Sequence, residues 1–344
     1  MRIRSTTVTA ALTACLLMAG AVAGADTGAT ASGDNRGNGR GGFTFAVIGD
    51  IPYGDAQIAA FPGRVDQLNA DPQVQLVDHL GDIKSGSSVC SDEYFAAIRT
   101  QFDRFADPLV YTPGDNEWTD CHRPNNGGYN PLERLAKVRA TFFPSPGRTL
   151  GQHQTMVSSQ ADQGYPENVT YDRAGVAFAA VHIVGSNNSL APWTGSTAPT
   201  PEQTTEVLGR TAADIGLIRG MFAHARSTRA RAVVLLTQAD MFDPTVSGPL
   251  FSDYFGFQPI VRAIAEESAR FRGPVYLFNG DSHVFNQDQP LAVGSPWPAF
   301  YSVAPTANLT RITVEGSTAV DEWLKVTVDK RNPAVLTTQR IPFS

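Results

Sequence analysis

Phe43-Thr44-Phe45-Ala46-Val47-Ile48-Gly49-Asp50 is an apolar, β-prone run that stops at a glycine and a carboxylate. The same ending recurs along the chain. Val74 to Leu80 reads as a second strand and stops at Gly81-Asp82. Leu109 to Thr112 reads as a third and passes through Pro113 into Gly114-Asp115, and Val275 to Phe278 runs into Gly280-Asp281. In open α/β sheets ligands bind beyond the carboxyl ends of the strands, and glycine there lets the chain turn sharply away from the sheet. A single Gly-Asp at a strand end is an ordinary turn. Four such carboxylates delivered to one rim repel each other unless a cation or another positive partner lies between them, so the recurrence points to a metal site.

Working outward, Val176 to Val184 and Ala232 to Leu236 read as further strands, with amphipathic helices between strands. Asp92 to Phe105 reads as a helix behind a Ser91 N-cap, with acids in its first turn and Phe95, Ile98, Phe102 and Phe105 at helical spacing. Thr200-Pro201-Glu202-Gln203 fits a capping box with proline at the first helical position, opening a helix that turns Val207, Ile215, Ile218 and Phe222 inward. After Phe285 the pattern alternates, as in Leu309 to Val314 and Trp323 to Val328, which predicts a second sheet closing a sandwich. There is no internal repeat and no coiled-coil heptad. The expected architecture is α/β: one domain over residues 43–344, with mixed sheets in four layers, α/β/β/α.

Residues 1–25 read as a Sec-type signal peptide: Arg2 and Arg4 precede the apolar run Ala10 to Val22, and Ala23-Gly24-Ala25 suits cleavage. Leu12-Thr13-Ala14-Cys15 offers a lipoprotein box as the alternative, although the apolar segment continues past Cys15. Residues 26–42 read as a flexible leader. The expected location is therefore secreted or extracytoplasmic, and no later stretch is long and apolar enough for a transmembrane segment. A net charge of −6 without a basic block gives no nucleic-acid-binding signal. Removal of the signal peptide leaves Cys90 and Cys121, which in an exported protein are expected to pair.

Asp50-Ile51-Pro52, Gly81-Asp82-Ile83, Gly114-Asp115-Asn116-Glu117 and Gly280-Asp281-Ser282-His283 resemble four of the five ordered motifs of the calcineurin-like metallophosphoesterases. Those motifs are Asp-x-His, Gly-Asp, Gly-Asn-His-Asp/Glu, a lone His, and Gly-His-x-His. Leu235 to Asp240, with Gln238, occupies the lone-His slot, so the resemblance runs in order over residues 43–285. It implies hydrolysis of phosphate mono- or diesters by a metal-bound hydroxide, with one or two divalent ions. One ion position would use Asp50, Asp82 and His283. The other would use Asp82, Asp115 or Asn116, Gln238 and Asp281. Pro52, Asn116, Gln238 and Asp281 stand where the family has histidines. Oxygen donors in their place favour Mn, Mg or Ca over Zn or Fe.

Around these motifs, Lys84 is a candidate for contacting a phosphoryl oxygen or neutralising the carboxylate rim. Arg123 is a candidate phosphate fork, and His122 a replacement for the general acid missing at Asn116. Tyr53 and Trp118 are candidates to line the cleft, with packing under a loop the favoured reading, and His79 and His182 read as core histidines. The expected partner is a phosphate-ester small molecule or a phosphorylated substrate, with oligomeric state left open. The competing reading is a catalytically degenerate extracellular binding protein of the same fold, since the family histidines are replaced. A serine hydrolase is disfavoured because no Gly-x-Ser-x-Gly elbow is present.

Overall fold

Alternation along β1 (Phe43–Ile48) sets the layering. Phe43, Phe45 and Val47 enter a core between two sheets, whereas Ala46 and Ile48 pack under helices, because successive strand side chains point to opposite faces. β1 runs parallel to β2 (Val74–His79), which runs parallel to β3 (Leu109–Tyr111). The second sheet collects β4 (Ser158–Gln160), β5 (Tyr165–Arg173), β6 (Val176–Ala180), β7 (Ala232–Leu236), β8 (Val275–Asn279), β9 (Asn286–Asp288) and β10 (Leu309–Thr313). Its order is β4-β5-β6-β7-β8-β10-β9, with β6, β7, β8 and β10 parallel. These details come from a computed structural model that describes residues 42–329 and 331–344. The signal peptide, the lipoprotein box and residues 26–41 lie outside the described residues.

Three helices, α1 (Gly54–Ala70), α2 (Asp92–Phe102) and α3 (Pro131–Phe142), bury Phe61, Phe95, Phe102 and Phe142 against the first sheet. Two more, α4 (Pro201–Thr228) and α5 (Gln258–Arg270), bury Ile218, Phe222, Ile260 and Ile264 against the second. The result is the α/β/β/α stack. Ser91 caps α2 by accepting from the Tyr94 amide, and Thr200 with Gln203 forms both bonds of the capping box on α4.

Three expectations need correction. The strand expected over 176–184 ends at Ala180: the Ile183 amide folds back onto Val181 O, while Ile183 O accepts from the Thr237 hydroxyl and the Ala239 amide. The helix expected over 92–105 stops at Phe102, although Phe105 stays buried under it. The C-terminal strands do not form the second sheet by themselves. β10 extends the sheet already built by β6, β7 and β8, whereas β11 (Glu322–Val328) returns antiparallel to β1 and carries β12 (Leu336–Pro342) on its outer edge. Alternation marks a strand but not its partner.

Among the described residues no helix is long and apolar enough to cross a membrane. Cys90 and Cys121 form a disulfide with a Cα–Cα distance of 5.9 Å and a sequence separation of 31. It ties the segment after β2 to the segment after β3. Replacing both cysteines with alanine is expected to lower unfolding free energy by about 3–4 kcal/mol in the chain-entropy model. Urea unfolding checks this: an unchanged midpoint would mean that other contacts fix the loop in the unfolded reference as well.

Candidate metal centre

The parallel strands β1, β2, β3, β7 and β8 all point their carboxyl ends at one edge, and their loops interlock there by main-chain bonds. The Asp50 amide donates to Gly81 O at 3.0 Å, and the Gly280 amide to Gln238 O at 3.0 Å. Gly81 has φ +86, and a Cβ on it would lie 2.6 Å from the Gly114 amide nitrogen, so the second and third loops meet backbone to backbone. Glu117 is buried and accepts from the Asp82 amide (3.1 Å), the Gly114 amide (2.6 Å) and the Tyr111 hydroxyl (2.7 Å), locking these loops together. Asp50, Asp82, Asp281 and His283 take φ values of 53, 55, 72 and 63. Left-handed backbone is uncommon outside glycine, and clusters of it mark sites over-determined by their surroundings.

Two groups among the described residues could hold a metal ion: Asp50, Asp82 and His283, and Asp82, Asp115 and Asp281, with ligand atoms within 4.8 Å of one another in each group. Asp82 belongs to both. Burial, then the charges of Asp115, Glu117, Asp50 and Asp281, push the Asp82 carboxyl well above its ordinary range. Burial and the neighbouring Asp115 and Asp50 do the same to Asp281, and burial raises Asp115. Burial alone would lower the His283 imidazole, but the hydrogen bond and charge of Asp50 outweigh it and hold the ring above its usual value. Like charges gathered in a buried site are the condition a cation relieves.

The two positions differ in how well they fit an ion. At the first, Asp50 Oδ1 and His283 Nε2 are 3.2 Å apart, the spacing of adjacent ligands on an ion bound at about 2.0–2.4 Å. The Tyr53 hydroxyl lies between Asp82 Oδ2 (2.8 Å) and Asp50 Oδ1 (3.5 Å). It donates to them now, but a hydroxyl proton rotates, and the same oxygen can face a cation. At the second, Gln238 does not present the oxygen expected of it. Its Oε1 accepts from the Gly185 amide at 2.7 Å, and its Nε2 lies 3.3 Å from both Asp82 Oδ2 and Asp115 Oδ1. Asn116 likewise turns its amide nitrogen inward, 2.7 Å from Asp82 Oδ2 and 2.7 Å from the Tyr53 oxygen. Asp281 is held by its own amide donating to Asp50 Oδ1 (3.0 Å) and Oδ2 (3.1 Å), and by the Asp240 amide on its Oδ2 (3.2 Å).

The flanking residues divide. Lys84 is buried and gives its ammonium to Asn116 O (2.7 Å) and Ser85 O (2.9 Å), so it braces the third loop and faces no open cleft. Burial pulls it down to about 8 against the attraction of Glu117 and Asp82. Arg123 pairs with Asp120 at 2.7 Å and keeps 41% of its side chain exposed. His122 accepts from the Thr194 amide at Nδ1, 2.8 Å, and lies outside the carboxylate network. Burial, then Arg123, lowers its imidazole. His182 and Trp118 are packing residues: Trp118 Nε1 donates to His182 Nε2 at 3.2 Å while His182 Nδ1 meets Glu167 at 2.9 Å. His79 is buried, and its ring bonds Ile51 O (3.0 Å) and the Gly81 amide (3.2 Å).

Sequence reading favoured packing over the cleft for one participant and missed another. Tyr53, read as packing, puts its hydroxyl among the site carboxylates. Ser186 reaches Asp115 Oδ2 (2.9 Å) and Asp120 Oδ1 (3.0 Å) from a turn in which Ser186, Asn187 and Asn188 are all left-handed. Buried Arg210 holds that turn through Asn188 Oδ1 (2.6 Å) and Asn188 O (3.0 Å). The run Gly185-Ser186-Asn187-Asn188, rich in residues that tolerate positive φ, was the available signal.

No protein-family model matches the chain, and no curated protein matches its sequence. Solved structures do resemble it. One is GAP50, the anchor in the inner membrane complex of Plasmodium, at 9% identity, covering 89% of this chain and 90% of that chain with a TM-score of 0.44. Another is a 5'-nucleotidase precursor from Thermus thermophilus, at 9% identity, covering 87% of this chain and 54% of that chain with a TM-score of 0.40. Both have metallophosphoesterase-like folds.

Proposed function

We propose that the chain is a divalent-cation-dependent phosphoesterase that acts outside the cytoplasm, with its cation on Asp50, Asp82 and His283. The observation that carries this is the convergence of those three residues, from three strand ends far apart in sequence, on one ligand group. The motif order in the sequence supplies the reaction class. When bound, the cation supplies positive charge that activates water and neutralises phosphoryl oxygens. Its donor set is richer in carboxylate than imidazole, which favours Mn, Mg or Ca over Zn or Fe.

The chain's own groups do the rest. Arg123, only partly engaged by Asp120, is the group available to bind a phosphoryl oxygen. Asn116 and Tyr53 orient Asp82 through hydrogen bonds. His122 is the candidate proton donor to the leaving group through Nε2, in its imidazolium form, with Nδ1–H turned from the Thr194 amide to the Thr194 hydroxyl. His122→Ala is expected to slow alkyl phosphate hydrolysis more than aryl, because good leaving groups need little protonation. Equal losses on both substrates would remove that role.

Binding without turnover is the second reading, favoured by the amide groups of Asn116 and Gln238 against Asp82. Protein purified without chelator and assayed on aryl phosphate mono- and diesters with Mn, Mg, Ca and Zn separates the two. Hydrolysis that depends on the oxygen-preferring ions supports the phosphoesterase. Cation binding with no turnover supports the binding protein.

A further inference from the structure

We infer that the site takes one cation and not two, because the Gln238 carboxamide stands where a second ion would bridge Asp82 and Asp115. This rests on the reading of the first position given above. The amide orientation is fixed by its partner: the Gly185 N–H can only donate, so it requires the Gln238 oxygen, at 2.7 Å. The NH2 group then faces Asp82 Oδ2 and Asp115 Oδ1, each at 3.3 Å, one proton to each carboxylate. Turning the amide over would set NH2 against N–H and aim a carbonyl dipole at two carboxylates.

The side chain is also closely packed. Gln238 is fully buried, its side-chain oxygen is held by the Gly185 amide, and its Cγ packs so close to the Gly114 backbone that a Cβ there would lie 2.8 Å away. The remaining carboxylates of that position also have protein donors. Ser186 serves Asp115 at 2.9 Å, and the Asp240 amide serves Asp281 at 3.2 Å. A second ion would have to displace the Gln238 NH2 group from both Asp82 and Asp115 and share the remaining carboxylates with their donors. At the first position the ion turns the Tyr53 hydroxyl and shares the carboxylates with the Asn116 amide group on Asp82 and the Asp281 amide on Asp50, and no side-chain amide stands between Asp50 and His283.

Gln238→Glu keeps an oxygen for the Gly185 amide and replaces the NH2 with a carboxylate oxygen between Asp82 and Asp115. Equilibrium dialysis against Mn2+ with metal analysis is expected to give one equivalent in the wild type and two in Gln238→Glu. Two equivalents in the wild type, or one in both proteins, would overturn the assignment while leaving the phosphoesterase reading intact. No bound Mn2+ in the wild type would instead remove the cation-dependent reading itself. Should Gln238→Glu fail to fold, electron paramagnetic resonance of wild-type protein in excess Mn2+ decides alone. Isolated-ion spectra are expected, and an exchange-coupled pair would overturn the inference.

Discussion

Asp82→Asn is expected to weaken Mn2+ binding by more than about 100-fold and to reduce phosphoester turnover to background, a loss of at least about 10³-fold. The substitution keeps the shape of the side chain and leaves an oxygen to accept from Tyr53 and Asn116. The charge is removed, and the oxygen that accepts from the Asn116 main-chain amide at 3.1 Å becomes an NH2 group. Because Asp82 is buried among Asp115, Glu117, Asp50 and Asp281, which with burial disfavour its ionised form, the cation-free variant should also melt at a higher temperature than cation-free wild type. Lost function with gained apo stability is the signature of a group held at a cost for its ligand. Thermal melts with and without Mn2+, run beside a turnover assay, check both halves. A variant that loses stability together with activity would make Asp82 a structural residue.

Asp78→Asn should change how stability depends on pH, and by a large amount. Asp78 sits on the face of β2 shared by Leu76 and Leu80, inside the core between the sheets. Its Oδ1 accepts from the Tyr171 hydroxyl at 2.8 Å, and its Oδ2 has no partner. Burial pushes this carboxyl up to about 8, with the Tyr171 bond opposing. A folded-state value raised above the unfolded one means that the folded chain binds an extra proton between about pH 4 and 8. Asp78 therefore contributes its full stability below pH 4 and loses it as pH rises toward 8. The difference in unfolding free energy between Asp78→Asn and wild type should grow with pH by up to about 1.4 kcal/mol per unit between pH 5 and 7. Using a difference cancels the other titrating groups, including Asp214, which burial also raises to about 8. Parallel curves for the two proteins would show that Asp78 ionises in place.

How much of this was legible in sequence follows from where each determinant lies. The Gly-Asp endings at Asp50, Asp82, Asp115 and Asp281 are local signals, each a strand followed by a turn, and parallel strands carry such ends to one edge without further information. Ser91 and Thr200 were readable for the same reason, since a cap is made within four residues. Gln238 was not. Its composition suggests an oxygen ligand, but its orientation depends on the Gly185 amide, supplied by the turn that follows β6, 53 residues earlier. Tyr53 resembled any aromatic after a strand, and only partners 29 and 63 residues away make its hydroxyl part of the site. Lys84 looked like a phosphate contact because of its place after Asp82, and the main-chain carbonyl that captures it comes from Asn116. The mis-assigned C-terminal strands have the same origin. β11 shows its period of two, while its pairing with β1, across nearly the whole domain, is a property of the sandwich and not of the segment.

The most direct test of a cation on Asp50, Asp82 and His283 is a crystal of the full chain grown with Mn2+ and measured at the manganese edge. The expected result is an anomalous peak within about 2.0–2.4 Å of Asp50, Asp82 and His283. Density at full Mn2+ saturation with no peak among those three residues would contradict it.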